Sequence, residues 1–417
     1  MLLVNYFANY SVAPKFIKHS HDYCSYADLI MPQFLFAVGF AMRLTFGRRM
    51  ARDGNVAAYG RMAKRLLGLV LVSLIIYTVS PRAESWEKLV EIGFWGAIQE
   101  PLKRQWFQTL MHIAVTSLWI LPVIHAKPAV RVAWMLGSVL LHIALSNQFN
   151  FLWVNTSPNG IDGGPLGFLT WTVPAIIGSM ACDWFVANRA TSQIPLPENE
   201  SSITTPGTVT TQGTVLTPAV RKSLTFGAIL MLAAYGLSCG TRLFDVESRP
   251  ELSPDDGAEG SVSNVETVGP KLAAHPVLPP LAQWKHKLEQ GSITTFLAEP
   301  PLVPPPGIES RKWNYWMMSQ RGGTASYTLF AAGFALCLFA LFYIACDRLG
   351  WQLSVFTTFG TNALVAYILH GMVSSAVQPF FPKDSPAWYA LTGLALFFLI
   401  NWLFLRSLQK QNIYLRV

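Results

Sequence analysis

Apolar runs close to the length that crosses a bilayer recur from one end of this chain to the other. They fall at about 27–46, 63–80, 107–125, 130–147, 166–187, 223–240, 326–346, 354–376 and 387–405. Backbone N–H and C=O groups inside a bilayer find no water, so each run must satisfy its own backbone as a helix. The N-terminal stub MLLVNYFANYSV has no basic n-region and no small-residue cleavage site, so it reads as the end of a further membrane helix. The expected fold class is therefore all-α: a polytopic integral membrane protein with roughly ten transmembrane helices in one bundle. Of the 417 residues, 52% are hydrophobic and only 13% charged. A soluble domain carries about a quarter charged residues.

Charge orients the bundle. Arg43, Arg48, Arg49, Arg52, Arg61, Lys64 and Arg65 crowd one connection, with only Asp53 opposing them, and that connection is expected on the cytoplasmic side. Alternation then places Lys127 and Arg131, Arg189, Arg221 and Lys222, Arg348 and the basic tail inside. Stretches 81–106, 148–165, 241–325 and 377–386 fall outside. The net charge of +8 is accordingly loop charge facing the lipid surface, and no nucleic-acid partner is expected.

Two connections are long. Residues 190–221 are rich in Ser, Thr and Pro and read as a disordered cytoplasmic loop. Residues 241–325 form an extracytoplasmic loop with an amphipathic candidate, LAQWKHKLEQGSITTF, and an aromatic and Arg-rich end, WNYWMMSQRGG. That end suits an interface belt or a polar-ligand surface. The chain thus divides into membrane helices 1–189, the loop 190–221, one helix 222–240, the loop 241–325 and membrane helices 326–417. Cys24, Cys182, Cys239, Cys337 and Cys346 show no metal spacing, and their odd, scattered set argues against a disulfide framework.

Ionisable groups in or beside apolar helices are costly and mark function. His19, His21 and Asp28 stand just ahead of the 27–46 run, on the expected outer side. Asp28 has two readings: it orients an imidazole for acid–base work, or it caps the helix that Pro32 begins. His370 lies in the outer half of its run, with Asn362 eight residues earlier on roughly the same face. The pair either lines a polar cavity or bonds between helices. Asp162 precedes the tight turn Gly163-Gly164-Pro165, whose following helix N-terminus suits an anion or a carbonyl, or is simply a turn. His112 and His142, each taken alone, read as buried hydrogen-bonded histidines. No HExxH, GxSxG, P-loop or CxxC motif is present, and no metal is expected.

These residues fall into a pattern. Val4-Asn5-Tyr6, His19, Ala27-Asp28-Leu29, Pro32, Phe34-Leu35-Phe36 and Gly39 resemble the first motif of the heparan-α-glucosaminide N-acetyltransferase family, as a bacterial relative would. GGPLGFL at 163–169 resembles that family's glycine turn. Gly360, Asn362, Tyr367 and His370 resemble its G-x-N-x-x-x-x-Y-x-x-H motif. Asp22-Tyr23-Cys24 stands where the family has Trp-Asn-Gly, one residue shorter, which keeps His21 open beside His19. The family's D-x-x-R-G would lie ahead of Met1.

The resemblance implies a transmembrane acyltransferase. It would move an acyl group, acetyl in the first instance, from acyl-CoA on the cytosolic face to an extracytoplasmic saccharide amine or hydroxyl. His19 or His21 would serve as general base or acyl carrier, with Asp28 and Asn5 orienting it. Asn5, Asp162, Asn362 and His370 would meet the substrate. His112, where the family has arginine, would meet the donor. The implied partners are the lipid bilayer, the saccharide acceptor and acyl-CoA, in a bacterial cytoplasmic membrane, with homo-oligomerisation open. A sugar transporter or flippase and a non-catalytic relative of the family are the alternatives.

Overall fold

The computed structural model describes residues 1–21, 23–79, 83–192 (side chains to 186), 216–244, 272–273, 275–279, 281, 285, 289, 296–304 and 313–415. All regular structure among them is helical. In chain order the helices are α1 (Leu2–Phe7), α2 (Ile30–Asp53), α3 (Asn55–Ile76), α4 (Trp86–Glu100), α5 (Thr109–Ile120), α6 (Pro128–Leu145), α7 (Phe151–Asn155), α8 (Phe168–Ser192), α9 (Pro218–Ser238), α10 (Ala325–Tyr343), α11 (Ser354–Thr361), α12 (Ala363–Val377) and α13 (Ala387–Lys410).

Among the described residues, seven helices are long and apolar enough to cross a membrane: Ala27–Asp53, Pro128–Asn155, Gly164–Val186, Pro218–Leu243, Ala325–Arg348, Ala363–Phe380 and Ala387–Lys410. The protein is an all-α polytopic membrane protein. The other three expected crossings are weaker. Helix α3 has 22 residues, but Arg61, Lys64 and Arg65 occupy its first half. Helix α5 has only 12 residues and the stub α1 only 6. The 354–376 run is two helices, because Asn362 breaks it with non-helical φ −125° and ψ 47°.

The stretch 81–106, expected as an outer connection, contains α4. Ser85 caps this helix by accepting from the Lys88 N–H, and Gly93 kinks it with φ 65°. Trp86, Val90, Phe94 and Trp95 are exposed on it, as on a helix lying in a headgroup layer. The loop 190–221 and the amphipathic candidate in 281–296 lie mostly outside the described residues.

Burial in lipid supplies little drive for helices to associate, so close packing and hydrogen bonds must supply it. Helices α2 and α8 cross where both carry glycine. A Cβ at Gly39 would collide with the carbonyl of Ala175, and one at Gly178 with the carbonyl of Phe36. Around this crossing Phe36, Met42, Phe46, Ile120, Ile124, Ile176, Ile177 and Leu336 form the main core. A separate cluster ties α1 to α12 and α13 through Tyr6, Phe7, Tyr10, Val373, Val377, Phe381, Ala390 and Phe397. Tyr77, just past α3, meets Tyr367 of α12 through their hydroxyls and bridges the two groups of helices.

The expected alternation appears in which segments meet. At one end Ser11 N–H bonds Lys383 O at 2.8 Å, Gly163 N–H bonds Arg321 O at 2.9 Å, and Ser319 Oγ–H bonds His21 O at 2.7 Å. These contacts join the polar N-terminal stretch to three of the segments expected outside, 148–165, 241–325 and 377–386. At the opposite end Arg43 binds Asp183 (2.7 Å) and Ile124 O (3.1 Å), while Arg131, fully buried, binds Ser179 (2.8 Å) and Asp183. Arg131 is therefore a structural partner inside the bundle, not the loop charge it was expected to be.

Candidate functional site

Asp28 sits in the single 3-10 turn Ala27–Leu29 that leads into α2 and is fully buried. A buried carboxylate needs a full set of donors. Ser25 supplies its N–H (2.9 Å) and its hydroxyl (2.7 Å) to Oδ2, and Ser20 N–H approaches Oδ2 at 3.4 Å. Oδ1 takes His19 Nδ1 at 2.9 Å. The capping reading of Asp28 thus fails. Its carboxylate accepts from residues ahead of the helix, and Leu29 at the α2 start makes no side-chain cap. Tyr327 OH donates to the Asp28 carbonyl and fixes the turn from α10.

With Nδ1 on the acid, Nε2 is the imidazole nitrogen left to exchange a proton. The His19 side chain is 46% exposed while Asp28 is 0% exposed. Burial pulls the His19 pKa down, but the hydrogen bond and charge of Asp28, with Asp162 and Gln320 behind them, hold it above the ordinary histidine value. Gln320 connects the two acids. It lies in hydrogen-bonding reach of His19, and its Nε2 donates to Asp162 Oδ1 at 2.9 Å.

Asp162 is 3% exposed and takes a left-handed backbone, φ 56°, uncommon outside glycine. The Trp171 indole N–H bonds its carbonyl at 2.9 Å. Burial pushes its carboxyl up to about 7, against the smaller opposing effects of Gln320 and His19. Its neighbours Gly163 (φ 80°) and Gly164 (φ 59°) make the sharp reversal that only glycine accepts easily. Of the two readings of this stretch, the N–H groups of its glycines fit the plain turn. Gly163 N–H is spent on Arg321 O, Gly164 N–H on Ile161 O and Gly167 N–H on Gly164 O.

His21 points into the same cluster. Burial, then Arg321, Arg104 and His19, hold its pKa well below the ordinary value. A base that stays neutral but is this weakly basic is a poor proton acceptor. His19 differs from His21 in having an acid partner, Asp28, that raises its basicity.

The remaining expected residues go elsewhere. Asn5 Nδ2 donates to His370 Nε2 at 2.9 Å, and His370 Nδ1 meets the Tyr367 carbonyl, so these two fix each other. Among the described residues neither bonds to His19, and Asn5 does not orient it. Asn362 lines no cavity with His370. Its Nδ2 donates to Ile413 O (3.0 Å) and its Oδ1 accepts Leu415 N–H (3.3 Å), which docks the C-terminal tail. His112 is fully buried beneath the Asp162 turn: a Cβ at Gly167 would touch both the Asp162 carbonyl and His112 Cε1. It faces Trp171 and Phe107. His142 is the hydrogen-bonded buried histidine expected, paired with Tyr315 OH at 2.9 Å.

Sequence reasoning missed Gln320, Arg321, Arg104 and Ser25. The signal for the first two was present in WNYWMMSQRGG. Trp313, Tyr315, Met317, Met318, Ser319, Gln320 and Arg321 are all buried, so this stretch walls the site and is not a lipid-facing belt. No protein-family model matches the chain, and no curated protein matches it.

Proposed function

We propose that the protein is a membrane-embedded acyltransferase that uses His19 as general base. The supporting observation is the 2.9 Å bond from a half-exposed His19 to a fully buried, three-donor Asp28. Such a partner fixes the tautomer with hydrogen on Nδ1 and leaves the Nε2 lone pair for a proton. The acceptor is a saccharide amine or hydroxyl on the side away from the basic connection, and the donor is an acyl-CoA thioester, acetyl-CoA in the first instance. As the acceptor heteroatom attacks the thioester carbonyl, its proton passes to His19 Nε2. The tetrahedral intermediate then expels the CoA sulfur, which takes that proton back. The amide or ester and the free thiol are the products. Asp162, whose carboxyl burial pushes up to about 7, lies beside His19 and is held by Gln320. The resemblance of the 4–39 motif to sugar N-acetyltransferases points the same way, and the reading carries with it a bacterial cytoplasmic membrane as the protein's location.

The test is transfer of labelled acetyl from acetyl-CoA to a panel of amino sugars by the purified full chain. His19→Ala is expected to lower it at least about 100-fold. Equal rates in the wild type and His19→Ala, or movement of a sugar across vesicles with no consumption of acetyl-CoA, overturn the reading.

A further inference from the structure

Helix α4 begins as an amphipathic arm, residues 86–92. At 3.6 residues per turn, Trp86, Leu89 and Val90 share one side, with Ile92 at its edge, while Glu87, Lys88 and Glu91 share the other. Trp86 is 76% exposed, and Phe94, just past the kink at Gly93, is 78% exposed. Lys88 Nζ pairs with Glu91 Oε2 at 2.8 Å, so the polar side carries its own ion pair. The root of the arm is held beside the candidate site. Trp95 stacks on Trp153 with ring centroids 6.3 Å apart, and the Lys103 carbonyl accepts the Ile161 N–H at 3.3 Å, next to Asp162. Gly93, with φ 65° and ψ 172°, bends the helix between this root and the exposed arm.

We propose that residues 86–94 dock into the leaflet on the Asp162 side of the bundle. Trp86, Val90 and Phe94 enter the boundary between headgroups and acyl chains, and Glu87, Lys88 and Glu91 stay in water. Bilayer lipid is the occupant of the apolar face, and continuity with a lipid-facing surface identifies it. The second half of α3 holds no charge and exposes Leu67, Leu71, Leu74 and Ile75 at helical spacing along one side. That stripe is what a helix turned to lipid presents. Helix α3 ends at Ile76, on the side away from the basic connection, and α4 begins at Trp86, so the exposed apolar face resumes where the stripe stops. Tryptophan suits the boundary because its ring is apolar and its N–H seeks a polar partner. Lipid charge does not draw the arm in, because Glu84, Glu87 and Glu91 outnumber Lys88. Burial of the apolar side holds it. Docking fixes the depth of the root, and so sets the Asp162 turn at the headgroup layer and not at the bilayer midplane. The proposal stands apart from the acyl-transfer reading and holds whichever reaction His19 serves.

The test is spin labelling of the full chain in phosphatidylcholine vesicles, in a background carrying Cys239→Ser, Cys337→Ser and Cys346→Ser; Cys24 and Cys182 are buried. Trp86→Cys, Val90→Cys and Phe94→Cys put labels on the apolar side, and Glu87→Cys and Glu91→Cys put them on the polar side. All five positions are exposed, so these substitutions leave the packing of the bundle intact. Labels at 86, 90 and 94 are expected to relax with dissolved oxygen, and those at 87 and 91 with a water-soluble nickel chelate. The oxygen-to-nickel ratio should be several-fold higher on the apolar side. The same pattern is expected when phosphatidylglycerol is mixed into the vesicles. Ready access of the nickel chelate at 86, 90 and 94 overturns the proposal, since the face then stands in water. Shielding of these labels from both reagents overturns it as well, because protein and not lipid then covers the face. An oxygen pattern that develops only with phosphatidylglycerol also overturns it, because charge and not the apolar face then holds the arm.

Discussion

His19 and Asp28 share a 2.9 Å bond between an imidazole that is 46% exposed and a carboxylate that is not exposed at all. The asymmetry is what a positioned base requires. The acid is locked by Ser25 and by the turn, and the base stays half-exposed.

Asp28→Asn should therefore cost more than the loss of one charge. An amide at this position must turn an N–H₂ toward either the Ser25 donors or His19 Nδ1–H. If it faces His19, the ring is driven to the tautomer with hydrogen on Nε2, and the base is lost. If it faces Ser25, buried donors are left unmet at about 1–3 kcal/mol. The expected outcome is a fall in acetyl transfer of at least about 100-fold, with kcat carrying most of it. Wild-type kcat in Asp28→Asn would remove Asp28 from the machinery.

Asp162 links the site to stability. Its carboxyl ionises near 3.8 when unfolded and near 7 when folded. The folded state thus prefers the protonated acid, and stability is lost as pH rises from the unfolded to the folded value. Asp162→Asn keeps the acceptor for Gln320 and removes the charge. It should stabilise the protein at pH 8 by about 2 kcal/mol more than at pH 5. Thermal unfolding in detergent at the two pH values measures this. An equal effect at both would show that Asp162 ionises normally.

How much of this was legible in the sequence follows from which forces act locally. The bundle was readable because lipid forces each apolar run into a helix, whatever its neighbours do. The Arg43–Arg65 concentration set the alternation, and the segments that meet at each end respect it. His19 with Asp28 was readable because nine residues of chain bring them together. The bonds of Asn5 and Asn362 were not readable because their partners, His370 and the 413–415 backbone, lie far along the chain. Residues sharing one helical face need not share a cavity. Gln320 was invisible for the same reason, since its value comes from Asp162, 158 residues away. Helix α4 was passed over because its charges hid the exposed face of Trp86, Val90, Phe94 and Trp95.

The tail contact made by Asn362 gives a prediction apart from catalysis. Asn362→Ala loses the bonds to Ile413 O and Leu415 N–H, while Thr358 still bonds Gln409 at 3.0 Å. Helix α13 should persist and only the residues beyond Lys410 should loosen. Limited proteolysis is expected to cleave near the C-terminus several-fold faster in Asn362→Ala, with acetyl transfer altered less than about threefold. If transfer falls as far as in His19→Ala while the tail stays protected, Asn362 belongs to the site after all.

The crossing of α2 and α8 carries the last prediction. Gly39 and Gly178 face each other's helices so closely that a methyl group on either would occupy a backbone carbonyl's place. Rigid backbone cannot yield as a side-chain tip can, so the helices must separate. The turn holding Asp28 stands directly on the first residues of α2, and that separation would also disturb the His19 bond. Gly39→Ala is expected to destabilise by roughly 1–3 kcal/mol or more and to lower acetyl transfer with it. Gly137, in α6, has nothing within 4 Å of where its Cβ would lie. Gly137→Ala should be neutral or stabilising by up to about 1 kcal/mol, since it gains helix propensity at no steric cost. Thermal unfolding of the two variants side by side makes the comparison, and a Gly39→Ala protein as stable as Gly137→Ala would mean that α2 and α8 do not meet at these glycines.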